Sequence, residues 1–141
     1  MNDTFLPLLK KNKNSATVTV SSGLAFVPLA ISPVYCSTKA ALHSYTLSLR
    51  EQMRNTSVKV FELAPPATET ELLKDFKESD MKGVTMMPVE KMVATFLKGF
   101  SNDTLEICPG QSSQLRFMSR FFPGFILKQL SKPVAAMHSA Q

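Results

Sequence analysis

The chain has 141 residues, 44% of them hydrophobic, and its 16 Lys and Arg against 11 Asp and Glu give a net charge of +5. This length predicts a single domain, and the hydrophobic fraction excludes global disorder. No apolar run reaches the roughly 20 residues of a membrane-spanning helix, and residues 1–13 have no signal-peptide pattern, so we expect a cytoplasmic protein. The two cysteines and two histidines are widely spaced, and we expect no metal site.

The excess positive charge lies near the two ends of the chain. Lys10, Lys11 and Lys13 form one cluster, and residues 115–132 contain four basic side chains and no acidic one. A basic protein can bind nucleic acid, but this sequence has no zinc finger, no helix-turn-helix pattern and no aromatic-basic strand motif. We therefore expect no nucleic-acid partner.

The first half of the chain predicts a helix, a strand, a loop and a second helix. Residues 1–11 are typical of the end of an amphipathic helix, with Pro7 near its middle. Residues 16–22 alternate with period 2 and are rich in β-branched side chains, which indicates a strand. Residues 23–33 contain one glycine and two prolines and predict a loop, whereas residues 34–53 contain neither and predict a helix of about five turns.

The second half continues the alternation of strands and helices. Residues 58–64 predict a second strand that stops at Pro65, and residues 103–108 predict a third. A helix begins at Pro88, because apolar residues follow it at spacings of three and four. The remaining segments predict a short helix at 68–77 and helical or irregular structure at 112–122 and 125–130. This order indicates an α/β protein with a parallel sheet.

Tyr35 and Lys39 form a Tyr-x-x-x-Lys pair at the start of the long helix. The i, i+4 spacing places both side chains on one helix face. A free phenol loses its proton only near pH ~10, and a nearby ammonium stabilises the phenolate form. The pair could therefore serve as a general acid and base at neutral pH. Taken alone, however, the spacing favours an ordinary pair on a helix surface.

The surroundings of this pair favour a functional role. Ser22 ends the first strand 13 residues before Tyr35. Ligands of α/β folds bind at the carboxyl ends of parallel strands. The Ser22 hydroxyl could there polarise a substrate carbonyl group, and the segment that begins at Pro65 opens at the same edge of the sheet.

Three segments of the sequence resemble the short-chain dehydrogenase/reductase family: residues 18–22 (VTVSS), 33–41 (PVYCSTKAA) and 62–70 (ELAPPATET). The resemblance covers residues 5–73, and segments 105–111 and 115–120 are similar to the DltE-type branch of the family. It implies an oxidoreductase that uses NAD or NADP on a small-molecule carbonyl or alcohol. The implied fold is the C-terminal part of a doubly wound Rossmann-type parallel sheet, with its last three strands.

The resemblance also implies a role for each matching residue. Ser22 would hydrogen-bond the substrate oxygen, Tyr35 would exchange a proton with it, and Lys39 would hold the nicotinamide ribose and stabilise the tyrosinate. The implied cofactor-binding residues are Tyr35, Lys39, Pro65, Thr68 and Thr70. This chain departs from the family pattern at Pro66, where the family has glycine, and at Thr68, where it has valine or isoleucine.

Other features of the family do not occur in this sequence. No two of its five glycines are closer than 11 residues, so it has no glycine-rich pyrophosphate turn. The family's catalytic asparagine would precede Met1. We therefore expect a fragment with little activity alone, and an exposed sheet edge at strand 16–22. The expected organisation is a single partial domain, 1–141, with a catalytic segment at 1–73 and a substrate lobe and tail at 74–141.

Two other functions remain open at this point. The chain could be a non-catalytic module that dimerises with a full-length relative through helix 34–53. It could also bind membranes peripherally through the basic and aromatic residues of 115–132. We expect packing or interface roles for His43, and we expect Cys36 and Cys108 to be small buried thiols.

Overall fold

The computed structural model describes residues 2–69, 85–132 and 134. Three strands alternate with helices along the chain. The elements are α1 (Asn2–Lys10), β1 (Ser15–Val20), α2 (Pro33–Met53), β2 (Val58–Leu63), α3 (Val89–Ser101), β3 (Glu106–Ile107), α4 (Gln111–Phe121) and α5 (Pro123–Leu130). A short 3-10 turn, Gly23–Ala25, follows β1.

The strands form one parallel sheet in the order β1-β2-β3. Ser15 pairs with Val58 and Val20 with Leu63, so β1 and β2 match over their whole length. This confirms the α/β prediction. The third strand is shorter than the predicted 103–108. Asp103 has a positive φ of 54°, and the Thr104 N–H donates to the Gly99 carbonyl oxygen of α3. Residues 103 and 104 therefore close the C-terminal end of α3 and do not belong to the strand.

Helices cover both faces of the sheet. On one face, Val58 and Val60 of β2 pack with Leu49 and Met53 of α2, and two leucines of α1 lie against this cluster. On the other face, Phe61, Leu63 and Ile107 form a second cluster. Three residues of α3 lie against it: Met92, Phe96 and Phe100. Because side chains alternate along a strand, even-numbered residues of β2 face α2 and odd-numbered ones face α3.

The predicted helices at 1–11, 34–53 and after Pro88 are confirmed, and both C-terminal segments are helical. The short helix predicted at 68–77 lies mostly outside the described residues. Within those residues, β1 pairs with β2 alone and forms a sheet edge. This position confirms the expected edge, and the side chains of Val18 and Val20, on the face of β1 opposite α2, are 38% and 51% exposed. The described helices include none with the length and apolarity to cross a bilayer.

Candidate functional site

The carboxyl end of β1 presents Ser22 at the edge of the sheet. The Ser21 N–H donates to the Leu63 carbonyl oxygen at 2.9 Å and continues the pairing with β2. Ser22 is extended and 7% exposed, and its Oγ accepts the Leu24 N–H at 3.2 Å, which caps the 3-10 turn. Within the described residues the Ser22 hydroxyl proton has no acceptor, so this group can donate to a ligand.

Gly23 joins three parts of the site. Its N–H donates to the Pro65 carbonyl oxygen at 2.9 Å, which holds the end of β1 beside the segment that follows β2. A Cβ atom at this position would lie 2.5 Å from the Oγ of Ser112, near the start of α4. Only glycine fits this close approach, so the 3-10 turn is held between β2 and α4.

The first turns of α2 bring Tyr35 and Lys39 together as the spacing predicted. Pro33 occupies the first turn, where its missing N–H costs nothing. The Lys39 Nζ lies 5.6 Å from the centroid of the Tyr35 ring, within reach of a cation–π interaction. The same Nζ donates to the Val20 carbonyl oxygen at 3.3 Å. Lys39 therefore links the helix that carries Tyr35 to the strand that leads to Ser22.

The segment after β2 supplies Pro65 and Thr68. The Pro65 carbonyl accepts the Gly23 N–H, as described above. Thr68 is buried, and its Oγ1 donates to the Pro66 carbonyl oxygen at 3.0 Å. Thr68 can therefore offer a ligand only the acceptor side of its hydroxyl. Thr70, the remaining predicted cofactor contact, lies outside the described residues.

A buried carboxylate lies directly behind this site. The Glu62 side chain is 0% exposed, and its Oε1 accepts the Ser21 hydroxyl at 2.5 Å. The Nδ1 of His43 lies 2.8 Å from Oε2 and 3.1 Å from Oε1. The ring of Phe26 meets the His43 ring edge-on, with centroids 5.0 Å apart. We call Ser21, Glu62 and His43 the Glu62 array.

Sequence reasoning missed the Glu62 array, although it predicted a packing role for His43. The signal was an acidic residue between Phe61 and Leu63, in a strand whose residues are all buried except Lys59. A charge in that place needs a hydrogen-bonded partner, and the even-numbered face of β2 looks toward α2. His43 is the residue of α2 that fills this role.

The two thiols are both free and are not part of the site. Cys36 is buried on α2, as predicted, and its Sγ accepts the Leu29 N–H. Cys108, which was also expected to be buried, is only half-buried. Its pKa is raised to about 12, first by desolvation and next by the neighbouring Glu106 carboxylate, while Arg116 opposes the change. Cys108 therefore stays protonated at neutral pH and does not provide a nucleophile.

The comparison with protein families agrees with this geometry. The family of short chain dehydrogenases matches residues 1–81, more than half of the chain. The chain therefore belongs to the short-chain dehydrogenase family.

Two curated relatives match the chain over different lengths. It is 47% identical over 118 residues to the uncharacterized oxidoreductase DltE of Bacillus subtilis, which covers 82% of this chain and 46% of the relative. It is 36% identical over 69 residues to estradiol 17-beta-dehydrogenase 2 of Rattus norvegicus, covering 49% of this chain and 18% of that protein. The chain thus spans less than half the length of these two relatives.

Solved structures share the fold. A short chain dehydrogenase from Burkholderia cenocepacia, in complex with NADP, superposes with a TM-score of 0.76 and 21% identity over 94% of this chain and 53% of its own. The bulky-bulky ketone specific alcohol dehydrogenase from Comamonas testosteroni superposes with a TM-score of 0.62 and 17% sequence identity. This match covers 98% of this chain and 47% of that protein. These likenesses confirm the Rossmann-type fold.

Proposed function

We propose that this chain carries the serine–tyrosine–lysine centre of an NAD(P)-dependent oxidoreductase that interconverts a carbonyl compound and an alcohol. The observation that carries the proposal is the position of Lys39, whose ammonium lies against the Tyr35 ring and donates to the Val20 carbonyl oxygen. One lysine thus couples the proposed proton donor to the strand end that presents Ser22. The names of the relatives, an oxidoreductase and a dehydrogenase, support the same reaction class.

The proposed roles follow from the donors that these side chains have available. Ser22 has already accepted the Leu24 N–H, so its own proton can be donated to the substrate oxygen. Tyr35 gives its phenolic proton to that oxygen in reduction and takes it back in oxidation. The Lys39 ammonium stabilises the negative charge that develops on the Tyr35 oxygen as the proton leaves. Nicotinamide, when bound, supplies or accepts the hydride.

The donor set fits the nicotinamide end of such a cofactor. An ammonium has three N–H donors, and within the described residues only Val20 accepts one from Lys39. The other two can bind ribose hydroxyls. Pro65 and Thr68, and by sequence Thr70, line the same end of the sheet in this proposal. We expect weak dinucleotide binding by the 141-residue chain alone, because its sequence has no glycine-rich turn for the pyrophosphate. NAD and NADP remain equal candidates.

The proposal extends to the organisation of the chain. We assign residues 1–73 to the catalytic segment and residues 74–141 to the substrate lobe and tail, and we place the protein in the cytoplasm, where its two free thiols would stay reduced. Family membership favours the oxidoreductase over both alternatives, the dimerising module and the membrane binder. Self-association through α2 is compatible with catalysis, since Val34, Leu42 and Leu47 are exposed on that helix.

The test is reduction of a panel of ketones and aldehydes by the purified chain with NADPH and with NADH, followed by absorbance at the reduced nicotinamide band. We expect slow turnover that Tyr35→Phe lowers by a factor of about 10² to 10⁴, the usual contribution of a general acid. Tyr45→Phe is the matched control, because Tyr45 is the only other tyrosine and lies on the same helix. Equal rates for the wild type and Tyr35→Phe, or no turnover by the wild type, would contradict the proposal.

A further inference from the structure

Burying the Glu62 carboxylate costs desolvation free energy, so the Glu62 array is an inefficient way to stabilise the fold. A fully buried carboxylate must be matched by hydrogen bonds, and Glu62 receives them from Ser21 and His43 on two other elements. His43 presents Nδ1 to both carboxylate oxygens, so the tautomer with a proton on Nδ1 is the one that donates to Glu62. Apolar residues of similar volume often stabilise such a place equally well. We therefore looked for a function of the array other than stabilising the fold.

The array connects β1, β2 and α2, whose relative positions must be fixed for the proposed reaction. Ser21 directly precedes Ser22 at the end of β1, Glu62 lies on β2, and His43 lies on α2 two turns after Tyr35. Two of these elements carry the groups that would meet at the substrate oxygen. The third, β2, leads into the segment that accepts the Gly23 N–H through Pro65.

The geometry of Ser21 and Ser22 explains how the array can act on the site. In extended backbone, successive side chains point to opposite faces, so when Ser21 is held on Glu62 the Ser22 hydroxyl is turned toward the other face. Phe26, which contacts the His43 ring, lies one residue beyond the 3-10 turn that Ser22 caps. The array therefore contacts the chain on both sides of the 3-10 turn, through Ser21 before it and through Phe26 after it.

We propose that Ser21, Glu62 and His43 are positioning residues, which fix the Ser22 hydroxyl and the 3-10 turn relative to the helix that carries Tyr35 and Lys39. None of the three touches the substrate oxygen in this proposal. The catalytic consequence rests on the proposed function of Ser22, but the conformational consequence does not. The two can therefore be tested separately.

The first measurement is amide hydrogen exchange in the 141-residue chain, which needs no enzymatic activity. His43→Leu removes the donor and keeps an apolar side chain, whereas His43→Asn keeps an N–H donor near the position of Nδ1. In His43→Leu we expect exchange at Gly23 and Leu24 to accelerate about tenfold, the effect of losing a hydrogen bond to a charged group. The Ala64 amide, which donates to Ile107 on the far side of β2, reports global opening and should change by less than about twofold. His43→Asn should restore slow exchange at Gly23 and Leu24.

A second variant keeps the proposal testable if single changes unfold the chain. The triple change Ser21→Ala, Glu62→Met and His43→Leu removes all three polar side chains of the array together and leaves none of them unpaired, so the fold should persist. Faster exchange confined to Gly23 and Leu24 supports positioning. Unchanged exchange there, or equal acceleration at Ala64, would overturn it and leave the array a purely structural feature. Ser48→Ala is the control, because it removes an exposed hydroxyl from the same helix.

The second measurement is steady-state reduction with the same variants. If Ser22 acts on the substrate oxygen, His43→Leu should lower kcat by about tenfold to a hundredfold with KM nearly constant, because small displacements at a reacting centre have effects of that size. His43→Asn should recover most of this loss. Localised exchange effects without any change in kcat would uphold the positioning of Ser22 and contradict its proposed catalytic role.

Discussion

The Arg50 guanidinium of α2 donates to the carbonyl oxygen of Leu105 at 3.0 Å, across 55 positions of sequence. Its Nε donates to the Val60 carbonyl oxygen at the same distance. One side chain therefore joins α2, β2 and the residue that precedes β3. The planar guanidinium can meet two fixed carbonyl oxygens at once, which an ammonium on a flexible chain does poorly.

Replacing Arg50 by lysine should lower the free energy of unfolding by about 1.5–3 kcal/mol, the range for hydrogen bonds to charged groups. The measurement is urea unfolding followed by far-UV circular dichroism. Arg54→Lys is the matched control, since Arg54 is the C-cap residue of the same helix, its side chain is 69% exposed and it pairs with Glu51 only at the surface. We expect that change to stay within about 0.5 kcal/mol. Equal effects of the two substitutions would contradict the bridging role of Arg50.

Glycine at position 23 should be indispensable for the site. In Gly23→Ala the new methyl group would overlap the Ser112 Oγ, and the 3-10 turn or α4 would have to move. We expect a loss of about 1–3 kcal/mol in unfolding free energy, the usual effect of overpacking. Faster exchange of the Gly23-position amide, which donates to Pro65, should accompany it.

The control for this change is Gly124→Ala in α5. Apart from its chain neighbours and the backbone of its own helix, no described atom lies within 4 Å of the Cβ that this substitution would add. Alanine favours the helix over glycine, so a gain of about 0.5–1 kcal/mol is expected. If both alanine variants shift stability in the same direction, the close contact between Gly23 and Ser112 does not determine the outcome.

The sequence was most informative where periodicity reflects burial. The spacing of apolar residues after Pro88 predicted α3, the run of residues without glycine or proline predicted α2 to within one residue, and the segment 58–64, which stops at Pro65, predicted β2. It overestimated β3, because the extent of a strand depends on its partners. Only Glu62 and Leu63 of β2 face residues of β3, and Asp103 closes the preceding helix instead.

The candidate site was predictable in its residue types but not in its connections. The spacing of Tyr35 and Lys39 placed them on one helix face, as the structure confirms. The bond from Lys39 to Val20 spans 19 positions, and that from Ser21 to Glu62 spans 41. Such pairs depend on how α2 lies across the sheet, which no local pattern encodes.

The exposed side of α2 predicts self-association. Val34 and Leu42 are exposed on one side of the helix, about 80° apart around its axis, and an exposed apolar helix face favours a partner. We expect the chain to form dimers at micromolar concentration in light scattering coupled to size exclusion, and Leu42→Glu to shift it toward the monomer. The control is Leu97→Glu, because Leu97 is similarly exposed but lies on α3. A wild-type monomer at all concentrations would argue against α2 as an interface.

Cys108 should be an unusually inert thiol for one that is only partly buried. Its pKa is raised to about 12, so at pH 8 almost none of it is the reactive thiolate. Alkylation by iodoacetamide, located by peptide mass spectrometry, should be slower at Cys108 than in a denatured chain, and should accelerate as the pH rises toward 12. Burial is the larger cause and the charge of Glu106 the next.

The charge contribution can be isolated with two substitutions of opposite sign. Glu106→Gln removes the carboxylate that disfavours the thiolate, so the pKa of Cys108 should fall and alkylation at pH 9 should accelerate. Arg116→Met removes the cation that favours the thiolate, so the pKa should rise and alkylation should slow. Because Arg116 also pairs with Glu106, each variant must show wild-type circular dichroism before its rate is interpreted. If both substitutions accelerate alkylation, access to the thiol, not charge, controls its reactivity.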